Sequence, residues 1–319
     1  MLYPFLLAPV LKTPLWSGRR LNKDYGKAGS EKIGESWELS ARPDATVTVK
    51  NGPLAGTSLY TVFEKFSREL IGDTPLPNGG FPLLVKLIDA ALPLSVQVHP
   101  DGALAKRLGE EGGKTELWYI LDAEKDAAIY YGLRDGISEK EAAAALQGEG
   151  FDAVLRRIPV QRGEVYFLPA GLPHAIGEGV LLAEVQENSD VTYRLYDYGR
   201  RDEAGKLRPL HVEKGVLALR AYSDREIEEL RFASGKTPRD GDTLLAATPY
   251  FRAELLSLSG EATLPRRNYL RHLLCLEGKA TLREGDTQLS FQKGDSILLP
   301  AALGNTHLEG EGTILLSSL

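Results

Sequence analysis

Two stretches of this 319-residue chain are written to one pattern, and that pattern narrows the folds open to it. "RGEVYFLPAGLPHAIGEG" places Gly163, five residues, Pro169, Gly171 and His174. "KGDSILLPAALGNTHLEGEG" places Gly294, five residues, Pro300, Ala302 and His307. Each reads glycine, acid, short apolar strand, Leu-Pro, turn, histidine. A unit that recurs within one chain points to a duplicated domain. Around both copies lie short apolar runs bounded by Gly, Asp and Pro, such as "FPLLVKLIDA", "TELWYIL", "AAIYYGL", "VLLAEVQE", "FRAELLSLS" and "RHLLCLEGKATLRE". Many short strands with turn signals between them indicate a sandwich or barrel. The expected fold is mostly β with some α, built as two jelly-roll β-barrels. A charged segment containing Gly and Pro, "RFASGKTPRDGDT", separates the copies. It sets a boundary near residue 236, with domains 1–235 and 236–319.

Helical patterns are few. "TSLYTVFEKFSREL" has Leu59, Val62, Phe63, Phe66 and Leu70 at helical spacing after Thr57 or Ser58 as N-cap. "SEKEAAAALQ" opens with Ser138 and Glu141 at capping-box spacing. "FDAVLRRI" and "SDREIEELRF" read as short helices, and "EKEAAAALQGEGFDAVLRR" as an exposed amphipathic helix pair. The apolar opening "MLYPFLLAPVLKTPLW" lacks a basic leader and is broken by Pro4 and Pro9, so an edge strand fits it better than a signal peptide. No run approaches the roughly 20 apolar residues of a membrane helix.

Net charge is −6, so nothing suggests the basic patch that nucleic acid or an anionic membrane would favour. The one cysteine, Cys275, excludes an intrachain disulfide and a cysteine-based zinc site, and fits a cytoplasmic setting.

The chemistry gathers in the first copy. In "PLSVQVHPDG", Gln97 and His99 stand two apart on a strand and so share a face, and Pro100 ends that strand. Glu116 opens the run "ELWYIL", and His174 follows a tight Pro-Gly turn. Singly, each has a plain reading as a hydrogen-bonded histidine, a solvated acid or a surface amide. In a barrel they can converge. Two imidazoles, one carboxylate and one amide oxygen make a set suited to zinc, and a single carboxylate leaves the dication with residual positive charge. Glu184, an acid inside the apolar run "LLAEVQE", is a candidate proton-transfer base. "GEEGGKTE" ends like a phosphate-binding P-loop, but Leu108 stands where that motif needs glycine. His272 and His307 lack partners at ligand spacing and read as structural. Trp16, Trp37 and Trp118 read as core residues.

The spacing Gly163-x5-Pro169-x-Gly171-x2-His174 resembles the second motif of the cupin superfamily. The earlier His-x-His…Glu motif of that superfamily has its counterpart in Gln97-Val98-His99…Glu116, with glutamine in the first place. Together with "LWSGRRL", "IGESWELS", "FPLLVKLIDAALPLSVQVHPD", "GKTELWYIL", "PAGLPHAIGEG", "QENSDVTYRLYDYGR" and "LRPLHVEKG", this resembles the type I mannose-6-phosphate isomerases in their short bacterial form. The likeness spans the first two-thirds of the chain. The C-terminal part matches only as a degenerate cupin without metal ligands, and "WSG" stands where many members read "WGG". The resemblance implies a zinc-dependent interconversion of mannose 6-phosphate and fructose 6-phosphate through a cis-enediol. One zinc ion per chain would be held by Gln97, His99, Glu116 and His174. Arg194 would be the catalytic arginine, and Ser95 and Lys114 would bind the sugar phosphate. His211 has a family-like context without a role that the residues supply. Two rival readings are a cupin-type glucose-6-phosphate isomerase and a metal-holding sugar-binding cupin without turnover. Arg194, Lys114 and the full ligand set speak against the second.

Overall fold

A computed structural model describes all residues except 1, 30, 74–75, 77–79, 147–150, 202–204 and 233–240. The protein is mostly β and divides into two compact units, neither continuous in sequence. One comprises Met1–Lys12, Arg19–Leu87 and Lys236–Leu319; the other comprises Thr13–Gly18 and Ile88–Gly235. This differs from the contiguous division expected near residue 236, a position outside the described residues. Most of residues 1–87 belong with the C-terminal segment. The cause is strand pairing. Phe5–Ala8 lies antiparallel to Ser296–Leu299 on one side and to Thr48–Val49 on the other, with Phe5 opposite Leu298 and Leu7 opposite Val49. Val10–Lys12, from the same apolar opening, is the edge strand of its own sheet beside Glu35–Leu39, whereas Phe5–Ala8 is an interior strand. Pro4 and Pro9 stand just outside its ends, where a missing N–H costs no ladder bond.

In that unit the sheet runs in the order Gly241–Ala247, Arg252–Leu264, Thr306–Ser318, Arg271–Glu284, Ser296–Leu299, Phe5–Ala8, Thr48–Val49. Its core gathers Leu256, Leu273, Leu282, Phe291, Ile297, Leu299 and Ile314.

The second unit holds two antiparallel sheets. One orders Leu155–Pro159, Ala128–Leu133, His174–Ile176, Val96–Val98 and Tyr193–Tyr196. The other includes Arg231–Phe232, Val165–Leu168, Glu116–Ala123 and Val180–Glu187 as successive neighbours. Trp118, Ile120 and Leu182 from the latter pack against Ile129, Tyr131 and Ile176 from the former in one buried cluster. Alternation along each strand sends these side chains inward, and each buried apolar side chain contributes about 1.5–3 kcal/mol.

Helices form where caps and periodicity agree. Ser58 Oγ accepts the Thr61 N–H at the start of Leu59–Ile71. Capping boxes open Glu139–Ala145 and Asp224–Leu230. "FDAVLRRI" departs from the expected helix. It makes one 3-10 turn, Phe151–Val154, then the strand Leu155–Pro159, because Leu155 and Ile158 bury against the strand beside them. The helix pair drawn through it also crosses residues 147–150, outside the described residues. Gly102–Leu108, capped by Asp101, and Val212–Ala218 are helices that the sequence reading did not anticipate. Among the described residues no helix is long and apolar enough to cross a membrane.

Candidate metal centre

The second unit brings four of the sequence-selected residues together. His174 opens its strand directly opposite Gln97 in the neighbouring one. Ahead of it, Gly171 takes a φ of +91°, which favours glycine, and a Cβ there would stand 2.8 Å from Arg220 Cγ. The Gly171 N–H donates to the His99 carbonyl at 2.9 Å, so the Pro-Gly turn ties the two histidines together through the backbone. Glu116, fully buried, opens a strand of the facing sheet. His99, Glu116 and His174 present ligand atoms that all lie within 4.8 Å of one another.

The protonation of this cluster follows from its outer contacts. His99 Nδ1 lies 2.8 Å from the Val191 carbonyl, and His174 Nδ1 lies 2.8 Å from the Leu172 carbonyl. A carbonyl only accepts, so each ring carries its proton at Nδ1 and turns a bare Nε2 inward. Burial and the Lys114 charge push the His99 imidazole down to about 4, and burial lowers His174 as well, so both stay neutral. The two Nε2 atoms each stand 3.4 Å from a Glu116 oxygen, Oε1 for His99 and Oε2 for His174. Among the described residues no hydrogen bond is made to either oxygen, and Oε1 has the Lys114 ammonium as its ion-pair partner. Burial alone would raise the Glu116 carboxyl, yet Lys114 beside it holds it well below its ordinary value.

Acceptors turned toward acceptors repel unless a cation lies among them. In the structure that charge is the Lys114 ammonium, 2.5 Å from Glu116 Oε1 and 3.4 Å from His99 Nε2. The spacing also suits a metal. Tetrahedral ligands at roughly 2.1 Å from zinc lie about 3.4 Å from one another. The donor set therefore fits a zinc-class ion held by His99, Glu116 and His174. Gln97 completes it differently from expectation: its amide nitrogen, not its oxygen, lies 3.2 Å from His174 Nε2. A half-turn of the amide exchanges the two.

Arg194 stands opposite Gln97 on the other side from His174, so the three residues form a row across adjacent strands. Its Nη1 donates to the Pro209 carbonyl at 2.8 Å. Burial, and then the neighbouring guanidinium of Arg208, lower its basicity. Ser95, also buried, immediately precedes the Gln97 strand, on the Gln97 side by alternation. Lys114 lies at the ligand cluster itself, its Nζ against Glu116 Oε1. Glu184 is not among the ligand atoms gathered within 4.8 Å. It stands opposite Trp118, and its Oε2 accepts the Trp118 indole N–H at 2.8 Å. The Trp118 ring meets His174 edge-on at 5.3 Å.

Two residues take parts in the site that the sequence did not supply: His211, noted there without a role, and Gln186. His211 Nδ1 accepts the Arg194 backbone N–H at 3.1 Å, and the His211 N–H donates back to the Arg194 carbonyl at 2.8 Å. Burial, then Arg194 and Lys214, lower the His211 pKa, which suits an acceptor at Nδ1. Gln186, fully buried opposite Glu116, donates to the Glu187 and Ser189 carbonyls at 2.8 and 2.7 Å. The signal available for both was their place inside the matched stretches "LRPLHVEKG" and "QENSDVTYRLYDYGR".

Residues 14–142 match a family profile described as phosphomannose isomerase type I, catalytic domain, and residues 242–319 match one described as mannose-6-phosphate isomerase, cupin domain. The chain is 37% identical to mannose-6-phosphate isomerase ManA of Bacillus subtilis, over 99% of each chain. It is 34% identical to a mannose-6-phosphate isomerase of Streptococcus mutans, over 99% of this chain and 98% of that one. The crystal structure of the mannose 6-phosphate isomerase from Bacillus subtilis is similar with a TM-score of 0.88 at 34% identity, covering 99% of both chains.

Proposed function

The chain belongs to the type I mannose-6-phosphate isomerase family, and we propose that it interconverts mannose 6-phosphate and fructose 6-phosphate at the His99–Glu116–His174 centre. The observation that carries this reading is a buried cluster of acceptor-only groups in register with an arginine. One zinc ion per chain, held by His99, Glu116, His174 and the Gln97 amide oxygen, would supply a Lewis acid for the sugar oxygens. The chain's own residues do the rest. Isomerisation removes a proton from C2 of the aldose and returns it to C1 through a cis-enediol. Arg194 keeps its charge throughout and steadies the negative charge that gathers on the enediol oxygens. Lys114 serves the same end of the sugar, because its ammonium lies against Glu116. Ser95 binds further along the substrate. Glu184, expected as the base, holds the Trp118 indole in place beside His174 and so acts as a positioning residue.

In the same reading the other unit is a cupin barrel without a ligand set, and the setting is the cytoplasm. A coupled assay tests the activity: fructose 6-phosphate should form from mannose 6-phosphate and cease with chelator. Accumulation of glucose 6-phosphate from fructose 6-phosphate would instead make it a different cupin isomerase. No turnover with metal bound would make it a sugar-binding protein.

A further inference from the structure

Beyond the metal ligands, the second unit carries a knot of arginines around one acid. Asp197 is buried and directly follows the strand Tyr193–Tyr196. Arg200 Nη2 pairs with its Oδ1, while Arg200 Nη1 donates to the Pro93 carbonyl at 2.5 Å. Arg208 Nη1 lies 3.2 Å from the same Oδ1 and 3.5 Å from Oδ2, with its guanidinium 5.5 Å above the Trp16 ring. The two arginine side chains are 18% and 19% exposed, so much of their hydration is gone while a ligand can still reach them. Among the described residues, Asp197 is the one carboxylate these two guanidiniums contact. With Arg194 close by, three permanent positive charges face one negative charge, a surplus of two among the described residues.

We infer that Arg200 and Arg208, together with Ser95, form the subsite for the phosphate of the substrate, an inference that rests on the hexose phosphate reading above. A phosphate monoester carries about −1.5 to −2 near neutral pH, which matches the surplus. Position agrees with charge. The last register pair between the Gln97 and Arg194 strands is Tyr196 opposite Val96, so the next step sets Asp197 level with Ser95. Ser95 lies two residues from Gln97, about 7 Å along a strand, which is the span of a hexose from its carbonyl carbon to its phosphate. Arg208 commits only Nη1 to protein acceptors among the described residues, leaving Nε and Nη2 for a forked contact with phosphate oxygens. Asp197 and the Pro93 carbonyl hold the fork in place. Lys114 is spoken for by Glu116 and is not needed at the phosphate.

Inorganic phosphate is the probe, added to zinc-loaded protein. It should raise the melting temperature and inhibit competitively against mannose 6-phosphate. In Arg208→Gln and Arg200→Gln both responses should be lost. KM for mannose 6-phosphate should rise about tenfold or more with kcat within about threefold, since a remote group binds substrate and transition state alike. Zinc content should not change. If the glutamine variants fail to fold, Arg208→Lys and Arg200→Lys carry the test: each keeps the charge, loses the fork and should show a weakened phosphate response. Unchanged KM and an unchanged phosphate response in the variants would overturn the subsite, as would the absence of any phosphate response in the wild type. Inhibition that is not competitive would make the cluster an anion site apart from the substrate, and would overturn it too. A wild type that never turns over mannose 6-phosphate would defeat the proposed activity instead, while the melting shift still reports on the arginines alone.

Discussion

The two copies of the glycine-to-histidine pattern end in opposite environments. In the first, His174 is the opening residue of its strand, five residues after Pro169, and is 1% exposed. In the second, the strand opens at Thr306, six residues after Pro300; Thr306 is buried and His307 is exposed, its Nδ1 3.0 Å from Thr263 Oγ1. One extra residue in the turn is enough, because side chains alternate and a shift of one reverses every face. Ala302 stands where the first copy has Gly171 and does not share its positive φ. The parity of that turn decides which face of its strand the histidine takes.

The buried polar groups differ in a second way. In the unit with the C-terminal strands, His272 Nε2 lies 2.5 Å from Ser296 Oγ, and Glu38 takes the Lys27 ammonium and the Ser36 hydroxyl at 2.6 Å each. Lys27 also donates to the Gly294 carbonyl at 2.6 Å. That network carries its own cation in Lys27, while Glu38 Oε2 and His272 Nδ1 find no hydrogen-bond partner among the described residues. Around Glu116 acceptors are in excess, and one lysine stands among them. The two clusters differ in what their imidazoles meet: His99 and His174 both turn Nε2 toward one carboxylate, whereas His272 turns Nε2 toward a hydroxyl.

Exchanging the histidines is the strongest test of this contrast. His174→Ala should abolish both bound zinc and isomerase activity, whereas His307→Ala should leave both within about twofold, as an exposed substitution does. Equal losses in the two variants would break the comparison. Next in size is Arg194→Ala, expected to lower kcat by about 100–1000-fold with zinc content and melting temperature near those of the wild type. A loss below about tenfold would return Arg194 to an ordinary charge at the end of a strand.

Acid should expose the same contrast. His99 is held down to about 4 and His272 to about 3, both by burial. For such groups the unfolded chain binds protons first, so folded stability is complete above about pH 6.5 and declines as pH falls toward those values. For His99 alone the decline amounts to roughly 3 kcal/mol in metal-free protein. Zinc should protect the unit that holds His99 across this window and leave the His272 contribution unchanged. Urea midpoints at pH 7, 5.5 and 4.5, with and without zinc, measure it; a flat profile in metal-free protein would refute the buried neutral histidines. The smallest expected effect is His211→Ala, about 3–10-fold in kcat from one lost hydrogen bond to the Arg194 backbone, with KM little changed. An effect as large as that of Arg194→Ala would assign His211 a direct part in the chemistry.

How much of this was legible in the sequence depended on range. His99, Glu116 and His174 could be read because strand alternation and turn spacing are local, and resemblance joined the pieces. Gln97 was legible as a neighbour of His174, though not the side from which its amide faces it. Glu184 could be read as a buried acid, but its partner Trp118 lies across the sheet, and cross-strand register leaves no local mark. The His211–Arg194 pairing depends on how the intervening loop returns. The union of Phe5–Ala8 with Ser296–Leu299 joins opposite ends of the chain, so a boundary drawn from composition near residue 236 could not anticipate it.

The central claim is that one unit alone carries a catalytic metal. Zinc titrated into chelator-stripped wild-type protein, with turnover of mannose 6-phosphate followed at each addition, tests it most directly. Activity should start from background and rise linearly to a plateau at one zinc per chain. Full activity before any zinc is added, or a plateau only at two per chain, would contradict the account.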